Sequence, residues 1–338
     1  MLKDHLMILR VHTAALTQAS LLIGHFLSGG ILWSFDTFLW CMFGILFHAS
    51  GFLHNNLCDY SDDKKDVHKI HHPLVSGAVS VDNAWQLNVI LSVFASLLGA
   101  FLLRGSFIGL TILVTVIVCG WSYNLVCKKS LTAPIWISIC FGFLVLLPYS
   151  VNKGLYFDDT IIWLVTAYAT AQIWYQIAVE GYLKDLEHDP VNLLSLLGAR
   201  IYVLAFGMTV NRKTVTWKCK NLSLADGAWY FAGISKIPMV VLGGALVVVT
   251  SSNMSFVILV IGVMAVIYGH RVLLDYRWNH NNVLRWCAIV EIVTYLTLLW
   301  LLYGLLDIWQ CLFLTFYPLI WFASWNRLYF GTTLRPQV

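Results

Sequence analysis

The sequence predicts an all-α, polytopic membrane helix bundle, and three observations carry that prediction. Hydrophobic residues make up 59% of the 338-residue chain and the mean hydropathy is +0.76. Charged residues are only 11%, against about 25% for an average soluble domain. Most charges fall in short gaps between apolar runs long enough to cross a hydrocarbon core of about 30 Å. A water-soluble globular enzyme, a disordered chain and a nucleic-acid binder are excluded on these grounds, although the net charge is +4. The expected partner is the lipid bilayer, with no nucleic acid.

The apolar runs lie at roughly 12–32, 37–57, 84–103, 107–126, 133–151, 160–181, 228–249, 254–274, 284–304 and 308–326, which makes about ten transmembrane helices. Lys and Arg concentrate at the two ends of the chain and in the second, fourth, sixth and eighth gaps, leaving Arg104 and Lys153 on the opposite side. The positive-inside rule then puts both termini in the cytoplasm. Residues 1–338 read as a single membrane domain. Within it, 190–225 is expected to be a cytoplasmic insertion or cap, because counting 191–210 as a further crossing would send Arg212, Lys213, Lys218 and Lys220 outside. The start MLKDHLMILR leads into the first run with no small-residue cleavage site, so no removable signal peptide is expected. Eight cysteines form no CxxC pair and fall mainly in apolar runs, where a thiol is a small hydrophobe rather than a zinc ligand or half of a disulfide.

The second run ends in HNNLCDYSDDKKD and the sixth in EGYLKDLEHD. Acids crowded at a helix C-terminus repel one another and the negative end of the helix dipole, and on this topology both clusters reach the same membrane face. Asn55, Asp59 and Asp63 are spaced by four, as are Asp185 and Asp189, so each set projects from one side of a helix. Taken alone, either cluster reads equally as a solvated interfacial run partly neutralised by Lys64, Lys65 and Lys184. Two of them on one face form an oxygen-rich cup that calls for a cation. Mg²⁺ is the usual answer where one or two carboxylates per ion are completed by phosphate oxygens and water.

These residues resemble the UbiA-type intramembrane prenyltransferase superfamily. Asn55 to Asp63 is similar to its first aspartate-rich motif, Lys184 to Asp189 to its second, and the stretch from His72 to Gly77 to its Arg-Pro-Leu-x-x-Gly segment. Tyr123-Asn124 with Lys128 and Lys129 is similar to its Tyr-Ser and downstream Lys. The chain departs from the pattern at Asn56, where an Asp is usual, at His72 in place of Arg, and at His188 and Pro190. Its first run also lacks the Asp-Arg-Pro start of members that prenylate hydroxybenzoate.

The resemblance implies a helix bundle around a central cavity that faces the cytoplasm. Asp59, Asp63, Asp185 and Asp189 would hold Mg²⁺ as the catalytic carboxylates, with Asn55 assisting. Lys128 or Lys129, with Lys184, would neutralise the departing diphosphate. The implied activity is transfer of an isoprenyl group from a prenyl diphosphate donor to a lipophilic acceptor, aromatic or a quinone precursor. A terpene cyclase of the same family and a cation or metabolite transporter are the alternatives. His72 is a further candidate for diphosphate contact, and Tyr123 and Tyr182 for the cavity wall, because they sit beside the motifs. Intramembrane Glu291 and Lys236 either form a structural ion pair or line a pocket, whereas His25, His48 and His54 read as satisfied helix histidines.

Overall fold

A computed structural model describes residues 2–65, 69–127, 129–156, 158–184, 186, 192–210, 213–223, 225–251, 253–275 and 280–331. Every one of the ten apolar runs carries helix. In order these are α1 (Leu2–Ile8), α2 (Ala14–Leu27), α3 (Phe35–Asp63), α4 (Val81–Leu102), α5 (Phe107–Val126), α6 (Ala133–Phe143), α7 (Leu146–Asn152), α8 (Thr160–Tyr175), α9 (Tyr182–Lys184), α10 (Leu193–Leu196), α11 (Asp226–Ile234), α12 (Ile237–Thr250), α13 (Asn253–Asp275), α14 (His280–Leu301) and α15 (Ile308–Phe330). Among the described residues seven helices are long and apolar enough to span a membrane. Of the other three runs, α2 has only 14 residues and α8 gives way to a π-helical turn over Gln176–Gly181, while α14 runs 22 residues with Arg285 and Glu291 inside it.

The all-α expectation has one exception. Residues Arg200–Val210 (β1) and Lys213–Ser223 (β2), inside the segment expected to be an insertion, pair as an antiparallel hairpin with Arg200 opposite Ser223 and Val210 opposite Lys213. The chain divides into two compact units, one formed by Met1–Val126, Ile139–Thr166 and Leu302–Val338 and the other by Cys127–Ser138 and Ala167–Leu301.

In the first unit α3 is the longest element. Ser34 caps its start, the hydroxyl accepting from Thr37 N at 3.1 Å. Its 29 residues run about 43 Å, well beyond the roughly 30 Å that a perpendicular crossing of the hydrocarbon needs. Small residues let the helices close on each other. A Cβ at Gly24 would collide with the Val145 carbonyl of the chain leading into α7, and one at Gly44 would meet Gln18 Cγ of α2 at 2.8 Å. Buried polar groups pair across these contacts: His48 with Thr17 at 2.8 Å and Thr13 at 3.0 Å, and His25 with Thr37 at 3.1 Å. Asn88 Nδ2 donates to Ser50 O at 2.7 Å, fastening α4 to α3. Ile8, Leu53, Leu57, Leu74, Val79 and Ala84 form an apolar cluster joining α1, the far half of α3, the connection 69–80 and the start of α4. That cluster fixes everything around the acidic end of α3.

On α15 the rings of Phe313, Tyr317, Trp321, Trp325 and Tyr329 follow one another at i,i+4, with successive centroids 4.9–5.8 Å apart. Part of the aromatic content therefore builds one helix face, while Tyr317 OH also donates to Gln18 Oε1 at 2.7 Å and Trp321 Nε1 to Val11 O at 2.7 Å.

In the second unit α13 and α14 pack through Gly262 against Thr297 and Gly269 against Val290, where a Cβ would not fit. Tyr168 OH donates to Thr294 O at 3.0 Å and Gln172 Nε2 to Glu291 O at 3.1 Å, tying α8 to α14. A break at Ser235–Lys236, with Pro238 following, separates α11 from α12.

Candidate functional site

The last turns of α3 present Asn55, Asp59 and Asp63 at four-residue intervals, as the spacing predicts. Asp63 is buried, with 6% of its surface accessible. A carboxylate there is opposed by the helix dipole and by Asp59 and Asp62, and the structure supplies a compensating charge. Lys69 Nζ lies 2.7 Å from Asp63 Oδ1. Of the lysines expected to neutralise this run, Lys65 pairs with Asp62 at 3.0 Å in an exposed i,i+3 bridge, which stabilises little.

Asn56, where an Asp would be usual, serves the backbone. Its Nδ2 donates to Ile8 O at 2.8 Å and its Oδ1 accepts from Arg10 Nη2 at 3.3 Å. Arg10 turns the chain with φ 46°, a left-handed conformation uncommon outside glycine, and its guanidinium lies 5.2 Å from the centroid of the Phe52 ring. An Asp at position 56 would lose the donor to Ile8 O.

His72 follows in the connection 69–80, its backbone N–H donating to Lys69 O at 2.9 Å and its carbonyl accepting from Ser76 N at 2.9 Å. Gly77 takes φ +77°, which lets the chain turn toward α4. The imidazole is half-buried, with an inaccessible Nδ1 that has no hydrogen-bond partner. Burial above all pushes its pKa below the ordinary histidine value; the Arg10 charge adds to this, Asp63 opposes it, and Lys69 adds again. His72 thus lies among the charges of Arg10, Asp63 and Lys69 at the acidic end of α3, with its ring less basic than an ordinary imidazole.

Tyr123 lies on α5 beside Asn124, whose Nδ2 bonds Gly51 O at 3.1 Å and His54 Nδ1 at 3.0 Å on α3. His54 also meets Cys58 Sγ at 3.5 Å, so this histidine is satisfied, like His48. Lys129, exposed, and Tyr182, buried on α9, belong to the second unit, where Tyr182 O accepts from Asn192 Nδ2 at 2.7 Å. The backbone of Lys184 closes α9. Lys128, Asp185 and Asp189 lie outside the described residues. The structure therefore places Asn55, Asp59, Asp63, His72 and Tyr123 in one unit and adds Lys69 and Arg10, which motif spacing did not single out, while Asn56, the departure from the motif, serves the backbone.

Among the described residues no three His, Cys, Asp or Glu side chains are grouped closely enough to hold a metal. Asp59 and Asp63 do offer hard oxygen donors from one helix end, a set that suits Mg²⁺ and would need further carboxylate, phosphate or water oxygens to complete it.

The sequence profile described as the UbiA prenyltransferase family matches residues 19–283. The chain belongs to this family. No curated protein matches it. Among solved structures, this UbiA-family chain is similar to a digeranylgeranylglyceryl phosphate synthase, at 17% identity and a TM-score of 0.66 over 90% of this chain and 98% of the other. It is similar to a UbiA homologue from Aeropyrum pernix K1, at 17% identity and a TM-score of 0.64 over 84% and 96% of the two chains. A UbiA homologue from Archaeoglobus fulgidus, bound to DMAPP and Mg²⁺, is similar at 14% identity and a TM-score of 0.59 over 87% and 99%. At such identities the likeness establishes the UbiA fold, in an integral membrane protein.

Proposed function

We propose that the protein is a Mg²⁺-dependent membrane prenyltransferase that moves an isoprenyl group from a prenyl diphosphate to a lipophilic acceptor of the aromatic or quinone-precursor class. The observation that carries this reading is the Asn55–Asp59–Asp63 face closing α3 in a UbiA-family chain, with Lys69 and His72 beside it. It is supported by the Archaeoglobus fulgidus homologues, which hold DMAPP or GPP with Mg²⁺.

Asp59 and Asp63, with Asp185 and Asp189, would hold Mg²⁺, whose charge offsets that of the diphosphate as it departs. Lys128, Lys129 and Lys184 add positive charge toward the same group, Asn55 and His72 orient it, and Tyr123 and Tyr182 supply ring faces toward the allylic cation. Water has to be kept from that cation, which a cavity walled by apolar helices achieves. Both termini and the site face the cytoplasm on the charge bias. The hairpin β1–β2 belongs outside the hydrocarbon, where open sheet edges would leave backbone groups unpaired, and its Lys and Arg put it on that side too by the charge bias.

The test is diphosphate release by the pure protein in Mg²⁺ with prenyl diphosphates of several chain lengths, with and without acceptors. Release should be near background alone, rise with a quinone-precursor acceptor, and stay flat with 4-hydroxybenzoate. Fast acceptor-free release with a cyclised product would replace the transferase by a terpene cyclase. No release under any condition would overturn the transferase and reopen the reading as a cation or metabolite transporter.

A further inference from the structure

The second unit buries a polar cluster that the transfer chemistry does not use. Two backbone irregularities build it. The π-helical turn Gln176–Gly181 carries Glu180, and the break between α11 and α12 carries Lys236. Such irregularities at membrane depth persist where the backbone is packed in protein or lines a cavity, and π-turns frequently mark functional sites. The Glu180 carboxyl lies beside that of Glu291, which accepts from Gln176 Nε2 at 2.6 Å. Two neighbouring buried carboxyls repel as anions, which favours one shared proton over full ionisation of both.

Lys236 is 3% exposed, and its Nζ has no hydrogen-bond partner. It stands 5.1 Å from the centroid of the Tyr175 ring, within electrostatic reach of Glu180. Glu180 Oε1 is likewise inaccessible and unpartnered. Of the two alternatives the sequence leaves for Lys236 and Glu291, an ion pair or a pocket lining, the geometry favours the second: a carboxyl pair and an ammonium with its donors unused.

An unused ammonium needs an acceptor and an unused carboxyl oxygen needs a donor. A carboxylate or phosphate ligand would suit Lys236 but be repelled by the acidic pair. A cation would meet the reverse conflict, and an ether or ketone would leave Glu180 without a donor. A hydroxyl satisfies both at once. We propose that Lys236 and Glu180 form a binding site for the neutral hydroxyl of a lipophilic alcohol or phenol, with the Tyr175 ring as its apolar wall.

The site is tested by ¹⁹F NMR of 6-fluoro-2-naphthol, 6-fluoro-2-methoxynaphthalene and 6-fluoro-2-naphthoate, titrated into the full chain in nanodiscs against empty nanodiscs. The naphthol should bind saturably and the other two at least about tenfold more weakly, since each forfeits a hydrogen bond to a charged group. Glu180→Gln and Lys236→Met should each weaken the naphthol by a similar factor, with folding verified by thermal unfolding. If Lys236→Met does not fold, Glu180→Gln, nearly isosteric, decides alone. Equal binding of the methoxy or carboxylate probe, absence of saturable naphthol binding, or unchanged binding to folded Glu180→Gln overturns the proposal. Neither Mg²⁺ nor diphosphate enters the titration, so failure of the prenyltransferase reading would leave this result intact, and the converse.

Discussion

Lys69 Nζ and Asp63 Oδ1, 2.7 Å apart, join the connection after α3 to the buried acid at its end. The pair explains how a carboxylate is retained where the helix dipole and neighbouring acids oppose it. Lys69→Met should lower stability by about 1–2 kcal/mol, because one partner stays buried without its counter-charge while the lysine itself is partly exposed. Asp63→Asn added to Lys69→Met should recover most of that loss in thermal unfolding. Additive losses in the double variant would show that the pair is not coupled.

Asp59→Ala and Asp63→Ala, and likewise Asp185→Ala and Asp189→Ala, should each reduce diphosphate release by roughly a hundredfold or more, since charge stabilisation of the leaving group is removed. Each variant should stay folded in detergent, because removing one acid also relieves like-charge repulsion. Near-normal turnover of two of the four at limiting Mg²⁺ would sink the metal assignment.

Gly24 and Gly51 make a matched pair for packing. Alanine at Gly24 places a methyl against the rigid Val145 carbonyl, and the unfolding midpoint should fall by the equivalent of about 1–3 kcal/mol. Alanine at Gly51 meets nothing within 4 Å and should be neutral or stabilising, as helix propensity favours it. Equal effects at both sites would contradict the close approach of α2 to the chain entering α7.

Membrane sidedness is open to thiol labelling. Cys127, partly exposed, and a cysteine introduced by Arg200→Cys, at the exposed start of β1, should react with an impermeant reagent only from the cytoplasmic face. Labelling of the residue-200 cysteine from outside would reverse the assigned side of the hairpin.

The helices were legible because lipid demands continuous apolar runs, and the α3 acids because four-residue spacing projects onto one helix face. Lys69 was legible only as one cation in a gap; its approach to Asp63 depends on how the connection 69–80 folds over the apolar cluster of Leu53, Leu57, Leu74 and Val79. Glu291 and Lys236 were legible as intramembrane charges, but their partners were not. A π-turn changes which residues face α14, and 3.6-residue periodicity carries no sign of it. The hairpin left a signal that charge counting passed over. Val215, Trp217 and Cys219 alternate with Thr216, Lys218 and Lys220, the period of a strand.

The surplus length of α3 works as a depth gauge. About 43 Å of helix against about 30 Å of hydrocarbon leaves length enough for Asp59 and Asp63, near the C-terminal end of α3, to reach headgroup level with Trp40 and Phe43 in the slab. On the proposed reaction, a prenyl diphosphate meeting those acids would keep its diphosphate hydrated until capture and its tail dissolved throughout, so neither end would have to change solvent. Bilayer thickness then becomes a control on the reaction: a thicker membrane would draw the carboxylates toward hydrocarbon, and turnover should fall as acyl chains lengthen even though no residue has changed.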